Sequence, residues 1–300
     1  MDVDYSVLDI HNDVNVQKVT FLNDNTGFAC GGNKSQSGVI YKTTDAGNSW
    51  QQVYSNTNLC VYDVAFQNDT LGYACGENLL ILKTMDGGAH WVQQSPFLPD
   101  PGFEGSLRNI FCYDINTVYI AGGIGYSTGI TYKTFNQGYY WIYNNFEHEL
   151  RSVWYINKYT GFYSGYGVIY KTDDSLNSHY PLSVSGDFFM SLSFTDNHTG
   201  YACGYDGGIY KTTDVGNTWN QIMNNNNAMV SSKHFNFIQF TNANKGYAVG
   251  NTGLIVFTDN AGSDWNLIKK FTSDNLFSVC IRGNKVFISS TGGKIYRLNL

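Results

Sequence analysis

The stretch Thr199-Gly200-Tyr201-Ala202-Cys203-Gly204-Tyr205-Asp206-Gly207-Gly208-Ile209-Tyr210-Lys211-Thr212-Thr213-Asp214-Val215-Gly216-Asn217-Thr218-Trp219 decides the fold. It holds two short apolar strands joined by a glycine-bearing turn, then a second turn of the form Asp-x-Gly that ends on an aromatic residue. Its first half recurs along the chain, placing an aromatic at Phe28, Tyr73, Tyr119, Phe162, Tyr201, Tyr247 and Phe287, at separations of 45, 46, 43, 39, 46 and 40 residues. A period of about 40 to 50 residues is the length of one four-stranded propeller blade. The copies therefore predict an all-β, seven-bladed β-propeller spanning residues 1–300 as one domain.

Within a copy, a segment such as Val64-Ala65-Phe66 comes before the aromatic strand, and one such as His90-Trp91-Val92-Gln93-Gln94 follows the second turn. Each blade thus reads as a four-stranded antiparallel meander. The last copy ends at Ile295-Tyr296-Arg297-Leu298-Asn299-Leu300, after its third strand, while Tyr5-Ser6-Val7-Leu8-Asp9 lies ahead of the first. The N-terminal segment 1–10 is expected to complete blade seven, closing an edge that would otherwise invite association.

Composition agrees and excludes other classes. Aromatic residues make up 16% of the chain and charged residues only 14%, with 32 Gly and 4 Pro, which suits many short strands and tight turns. With 42% hydrophobic residues and a net charge of −6 the chain can bury enough surface to fold. That charge offers no footprint for nucleic acid, and no apolar run approaches the roughly 18 residues of a membrane helix. Neither a nucleic-acid partner nor membrane insertion is expected, and a monomer is. The acidic start Met1-Asp2-Val3-Asp4 lacks the regions of a signal peptide, so the expectation is a cytoplasmic protein or one whose leader is absent from this chain. The 6 cysteines show no CxxC or Cys/His spacing, so no metal and no cofactor is expected. Cys30, Cys75 and Cys203 share one strand position and read as small core residues.

The second turn is the chain's most regular motif. Thr43, Asp45, Gly47 and Trp50 are matched by Thr212, Asp214, Gly216 and Trp219, and by Thr84, Asp86, Gly88 and Trp91. Asn stands in the Asp position in Thr134, Asn136, Gly138 and Trp141, and in Thr258, Asn260, Gly262 and Trp265. The blade-four copy, Thr172, Asp174, Leu176 and His179, has lost both Gly and Trp. A turn Asp that accepts backbone N–H groups, a Gly at positive φ and an aromatic packed beneath have a sufficient structural purpose, so these residues are expected to staple hairpins rather than to catalyse or bind calcium.

These motifs resemble the Asp-box, or BNR repeat, of sialidases, xyloglucanases, sortilin-type receptors and photosystem II assembly factors. The repeated Thr-Gly-Tyr-Ala-x-Gly and Ile-Tyr-Lys-Thr-Thr-Asp-x-Gly-x-Thr-Trp patterns are most similar to the photosystem II assembly and stability factors and their relatives in non-photosynthetic bacteria. The resemblance covers essentially the whole chain and implies a non-enzymatic scaffold that presents a propeller face to a protein or peptide, with the boxes away from that face. It also favours a periplasmic or extracellular location.

For a site, the longest loops, 97–107 and 224–235, are the first candidates. Arg108 and Arg151 hold the same register in neighbouring blades, with Glu104, Glu147, His148 and Glu149 close in sequence. Two guanidinium groups side by side could clamp a carboxylate or an acidic peptide, and an Arg/Glu network that only satisfies the rim is the competing reading. The alternative function is a carbohydrate-binding or glycoside-hydrolase propeller, sialidase-like or xyloglucanase-like, with a glycan partner. A sialidase-like site needs three converging arginines, and the chain has only Arg108, Arg151, Arg282 and Arg297. A two-carboxylate mechanism needs a pair about 5 to 9.5 Å apart, and the spacing of Glu104, Glu147, Glu149 and Asp187 singles out none.

Overall fold

A computed structural model describes residues 4–10, 14–96, 104–184, 186–224 and 233–299. The chain is a seven-bladed β-propeller built from seven four-stranded antiparallel sheets. Blade one is Asn15–Phe21, Gly27–Asn33, Ser37–Thr43 and Gln51–Asn56; blade two is Val61–Phe66, Gly72–Gly76, Ile81–Thr84 and Val92–Gln94. Blade three is Ser106–Cys112, Val118–Ile124, Thr128–Thr134 and Ile142–Phe146; blade four is Leu150–Tyr155, Gly161–Gly165, Val168–Thr172 and Tyr180–Pro181. Blade five is Phe189–Phe194, Gly200–Gly204, Ile209–Thr212 and Asn220–Met223; blade six is Phe235–Phe240, Gly246–Gly250, Ile255–Thr258 and Asn266–Leu267. Blade seven is Leu276–Arg282, Lys285–Ser290 and Lys294–Asn299, and its outer strand is the N-terminal Asp4–Asp9, as the missing fourth strand required. By contacts the chain groups into two compact units, one of Val7–Leu150 with Ser289–Arg297 and one of Arg151–Ile288 with pieces of both ends. The first holds blades one to three and the second blades four to six.

The repeated aromatic packs between blades. Phe28 stacks on Phe66 with ring centroids 4.3 Å apart, Phe162 on Phe194 at 4.7 Å and Tyr201 on Phe240 at 3.7 Å, each pair joining strand two of one blade to strand one of the next. The Gly before five of these aromatics, Phe28, Tyr73, Phe162, Tyr201 and Tyr247, is a matter of space. A Cβ on Gly72 would lie 2.6 Å from the Phe66 ring and one on Gly200 2.5 Å from that of Phe194, so the ring ending strand one requires a bare backbone beneath it.

The six box turns share one geometry. Thr43 Oγ1 donates to Asp45 Oδ1 at 2.8 Å and accepts Gly47 N–H at 3.0 Å, while Asp45 Oδ1 accepts Ser49 N–H at 2.9 Å. The other boxes repeat this around Asp86, Asn136, Asp174, Asp214 and Asn260. The blade-four copy keeps the turn despite its sequence, because Leu176 adopts φ +65° where the others have Gly and His179 stands edge-on to Tyr170 at 5.5 Å. Each tip also docks on the neighbouring strand-one-to-two turn, as in Ala46 N–H to Asn25 O at 2.9 Å.

A second staple links blades within each unit. Lys42 Nζ donates to Gly87 O at 2.7 Å, Lys83 to Gln137 O at 2.7 Å, Lys171 to Asn217 Oδ1 at 2.9 Å and Lys211 to Ala261 O at 2.8 Å, each reaching the box of the following blade. Arg297 occupies the same strand-three position in blade seven and donates to Asn48 Oδ1 in the box of blade one at 2.7 Å. Blade six has Phe257 there, stacked on Tyr247, and the blade that follows it has no box. Lys42→Met is expected to cost about 1–2 kcal/mol, since Gly87 O loses a charged donor. Lys211→Met should cost less, because Ala261 O still accepts Tyr201 Oη–H at 2.8 Å. Chemical denaturation of the two variants checks the order.

The boxes also set an acid limit. Hydrogen bonds from Ser49 and Thr43 hold the Asp45 carboxyl down to about 2, and those from Ser178 and Thr172 hold Asp174 at about 2. A carboxyl lowered in the folded state from an unperturbed value of about 3.9 contributes stability above that value and loses it as the pH falls toward about 2. The melting temperature should therefore drop across that window, and Asp45→Asn, which copies the boxes at Asn136 and Asn260, should flatten the drop. An unchanged slope would refute this role for the box carboxylates.

Candidate functional site

Strand one carries a repeated irregularity that positions the candidate arginines. A register shift falls after Val16, Val61, Leu107, Phe189 and Phe235, putting Gln17, Tyr62, Arg108, Met190 and Asn236 at one bulge position. Arg151 follows the buried Leu150 at the matching place in blade four. A bulge re-aims one side chain without moving the strand from its core register.

In the first unit, the Arg108 guanidinium lies 4.2 Å from the centre of the Tyr62 ring, and its Nε is 3.9 Å from Glu149 Oε1. Glu149 is only 4% exposed, and its Oε2 accepts Tyr126 N–H at 3.2 Å. In blade two Glu77, also buried, accepts Ser35 N–H and Cys60 N–H, both at 2.8 Å, fixing the approach to strand one of that blade. Buried Asp63 accepts Asn109 Nδ2–H at 2.6 Å and Ile110 N–H at 3.0 Å and pairs with Lys18 at 3.5 Å, which binds three consecutive first strands together. The sector is a charged network under an aromatic-backed arginine.

Of the residues singled out in the sequence, Arg108 and Glu149 meet. Glu147 and Glu104 are exposed, and among the described residues neither has an ion-pair partner within 4.0 Å; His148 is half-buried. Arg151 belongs to the second unit, where its guanidinium lies 4.9 Å from the centre of the Phe188 ring and Tyr166 meets Phe188 edge-on at 5.3 Å. Of the long loops, 97–103 and 225–232 lie outside the described residues. Asp187, also in the second unit, has its carboxyl raised to about 6, chiefly by burial, which outweighs the hydrogen bonds it accepts from backbone N–H groups. Its oxygens accept N–H groups of Phe188, Asp206 and Gly208, so it fastens the loop at Tyr205–Gly208. Tyr62 and Glu77 were missed by the sequence reading. Aligning Val61-Tyr62-Asp63-Val64 with Leu107-Arg108-Asn109-Ile110 would have placed Tyr62 beside the arginine.

Seven meander blades stapled by six Thr-x-Asp/Asn turns define an Asp-box β-propeller. The sequence matches the family described as photosynthesis system II assembly factor YCF48 over residues 42–179 and 178–298, and the chain belongs to that family. No curated protein matches the sequence. Among solved structures, YCF48 bound to D1 peptide is similar with a TM-score of 0.78 at 17% identity, covering 100% of this chain and 98% of that one. YCF48 from Cyanidioschyzon merolae is similar at 0.75 with 14% identity, covering 98% of each chain. The propeller of U3-55K reaches 0.75 at 8% identity, covering 99% of this chain and 98% of that one. At such identities the likeness is one of fold.

Proposed function

We propose that the chain is a non-enzymatic assembly scaffold whose Arg108 sector takes an acidic, carboxylate-bearing segment of a partner protein. The observation that carries this is the state of Arg108. It is stacked on Tyr62 and held to one buried carboxylate by a single long contact through Nε, rather than by the two-pronged pairing that saturates a guanidinium. Family membership and the YCF48 structure with a bound peptide support the same reading.

The test is titration of a fluorescent peptide with two Asp residues and a free C-terminal carboxylate. Arg108→Ala should weaken binding by roughly 2 kcal/mol, about thirtyfold. It should also lower stability, because the buried Glu149 carboxylate loses the nearby guanidinium charge. Adding Glu149→Gln should restore stability without restoring affinity. Wild-type affinity should fall as salt is raised. Full affinity in Arg108→Ala/Glu149→Gln would remove this sector from the site.

A further inference from the structure

The box turn of blade three departs from the other five in a way that weakens it as a turn. Where those boxes place a small or polar residue three positions after the Asp or Asn, blade three has Tyr139, which is 89% exposed. In blades one, four and five the residue at that place, Asn48, Asn177 or Asn217, returns a hydrogen bond to the Asp carbonyl at 2.7 to 2.8 Å, and Tyr139 cannot. One position further, Ser49, His90, Ser178, Thr218 and Asp264 each bond the second side-chain atom of their box residue. Blade three has Tyr140 there, and Asn136 Nδ2 is left with no hydrogen bond among the described residues. Relative to blades one, four and five this turn lacks two hydrogen bonds, and it presents exposed aromatic surface, with Phe135 39% and Tyr140 54% exposed. A local rule broken without structural return marks a functional position.

What the aromatic turn borders is a cavity of about 660 Å³, within the range of small-ligand sites. One wall is Tyr139 with Asn136. The other is Met85 and the outward row His90, Val92 and Gln94 from the end of blade two. Met85 is 69% and Val92 63% exposed, so apolar surface faces water on both sides. The two acidic and basic side chains that line the cavity have partners in the protein: Lys83 Nζ donates to Gln137 O, and Asp86 accepts from Thr84 and pairs with His90 Nδ1. What remains for a ligand is a flat aromatic ring, aliphatic and thioether surface, and uncharged groups: the Asn136 amide donor, the Gln94 carbonyl and the far imidazole nitrogen of His90.

We infer that this cavity binds an uncharged sugar ring of a glycan, stacked on Tyr139 with its hydroxyls bonded to Asn136 and Gln94. A pyranose has the required combination, one C–H face that packs on an aromatic and an equator of hydroxyls that match amide groups, with no charge for the site to neutralise. An acidic peptide would find the Lys83 ammonium already engaged by Gln137 O. The site stands in blades two and three at the box end of the strands, and it does not depend on the Arg108 sector.

The experiment is saturation-transfer NMR and calorimetric titration of the full chain with cellotetraose, maltotetraose and chitotetraose. At least one should bind with a Kd of about 1 mM or tighter. Tyr139→Ala should weaken it by about tenfold or more. Asn136→Asp keeps the box acceptor, as four other boxes have Asp, but replaces the open donor with an acceptor, and it should also weaken binding. Tyr139 is so exposed that its truncation should leave the melting temperature unchanged, so a loss is attributable to the ring. Absence of binding by all three sugars at about 10 mM, or affinity unchanged in both variants, would overturn the inference.

Discussion

Trp265→Ala is expected to destabilise the protein by about 3–5 kcal/mol, the loss typical of emptying a buried aromatic site. Trp265 is 7% exposed, stands edge-on to Phe240 with centroids 6.0 Å apart and closes a core that includes Tyr201 and Ile238. Trp141 is equally buried against Tyr73 in the core of blades two and three and should behave alike. Trp50 and Trp219 are only half-buried, although Trp219 Nε1–H donates to Gly216 O at 3.1 Å, and their truncation should cost about half as much. Urea denaturation with a constant m-value separates the two groups. Equal losses at all four positions would show that the box motif, rather than burial, sets the contribution of its Trp.

Deleting residues 1–10 should have the second large effect, and by a different physical route. The strand Asp4–Asp9 buries little: Tyr5 is 42% and Val7 46% exposed, and the chief side-chain contact is Tyr5 stacked on Phe271 at 4.6 Å. Its main contribution is the hydrogen-bonded ladder to Lys294–Asn299, extended by Ile10 N–H to Gly293 O at 2.9 Å. Part of that gain is offset by the entropy of ordering the strand. The melting temperature should therefore fall by roughly 5 °C. The more visible consequence is association, because Lys294–Asn299 becomes an open edge. Light scattering that grows with protein concentration in the deletion variant, and not in the intact chain, is the expected result; a monomer with an unchanged melting curve would contradict closure by this strand.

The repeat made most of the fold legible, for a local reason. The box turn is set by neighbours within a few residues, and the aromatic of strand two recurs at one place in every blade, so their spacing carries the blade and its count. Even the blade-four copy, which lacks Gly and Trp, could be placed by its Thr172 and Asp174 alone. The inter-blade chemistry was not legible. Lys42 and Gly87 are 45 residues apart, and nothing local distinguishes a lysine that caps a neighbour's turn from one in solvent. The same distance hid Tyr62 beneath Arg108 and the choice of Glu149, rather than the exposed Glu104 or Glu147, as its partner. A one-dimensional pattern shows which charges are near in sequence, and burial decides which of them pair.

The partner's carboxylates are expected to be taken at the bulge end of strand one and not at the box turns. Amide hydrogen exchange of the full chain, with and without the acidic peptide, reads this directly. Exchange should slow across Ser106–Cys112 and at Tyr126 and Glu149, where Arg108 and its network sit, and the box turns around Asp45, Asp86 and Asp214 should be unaffected. Protection confined to the box turns, or no change in the Arg108 sector at saturating peptide, would contradict the account.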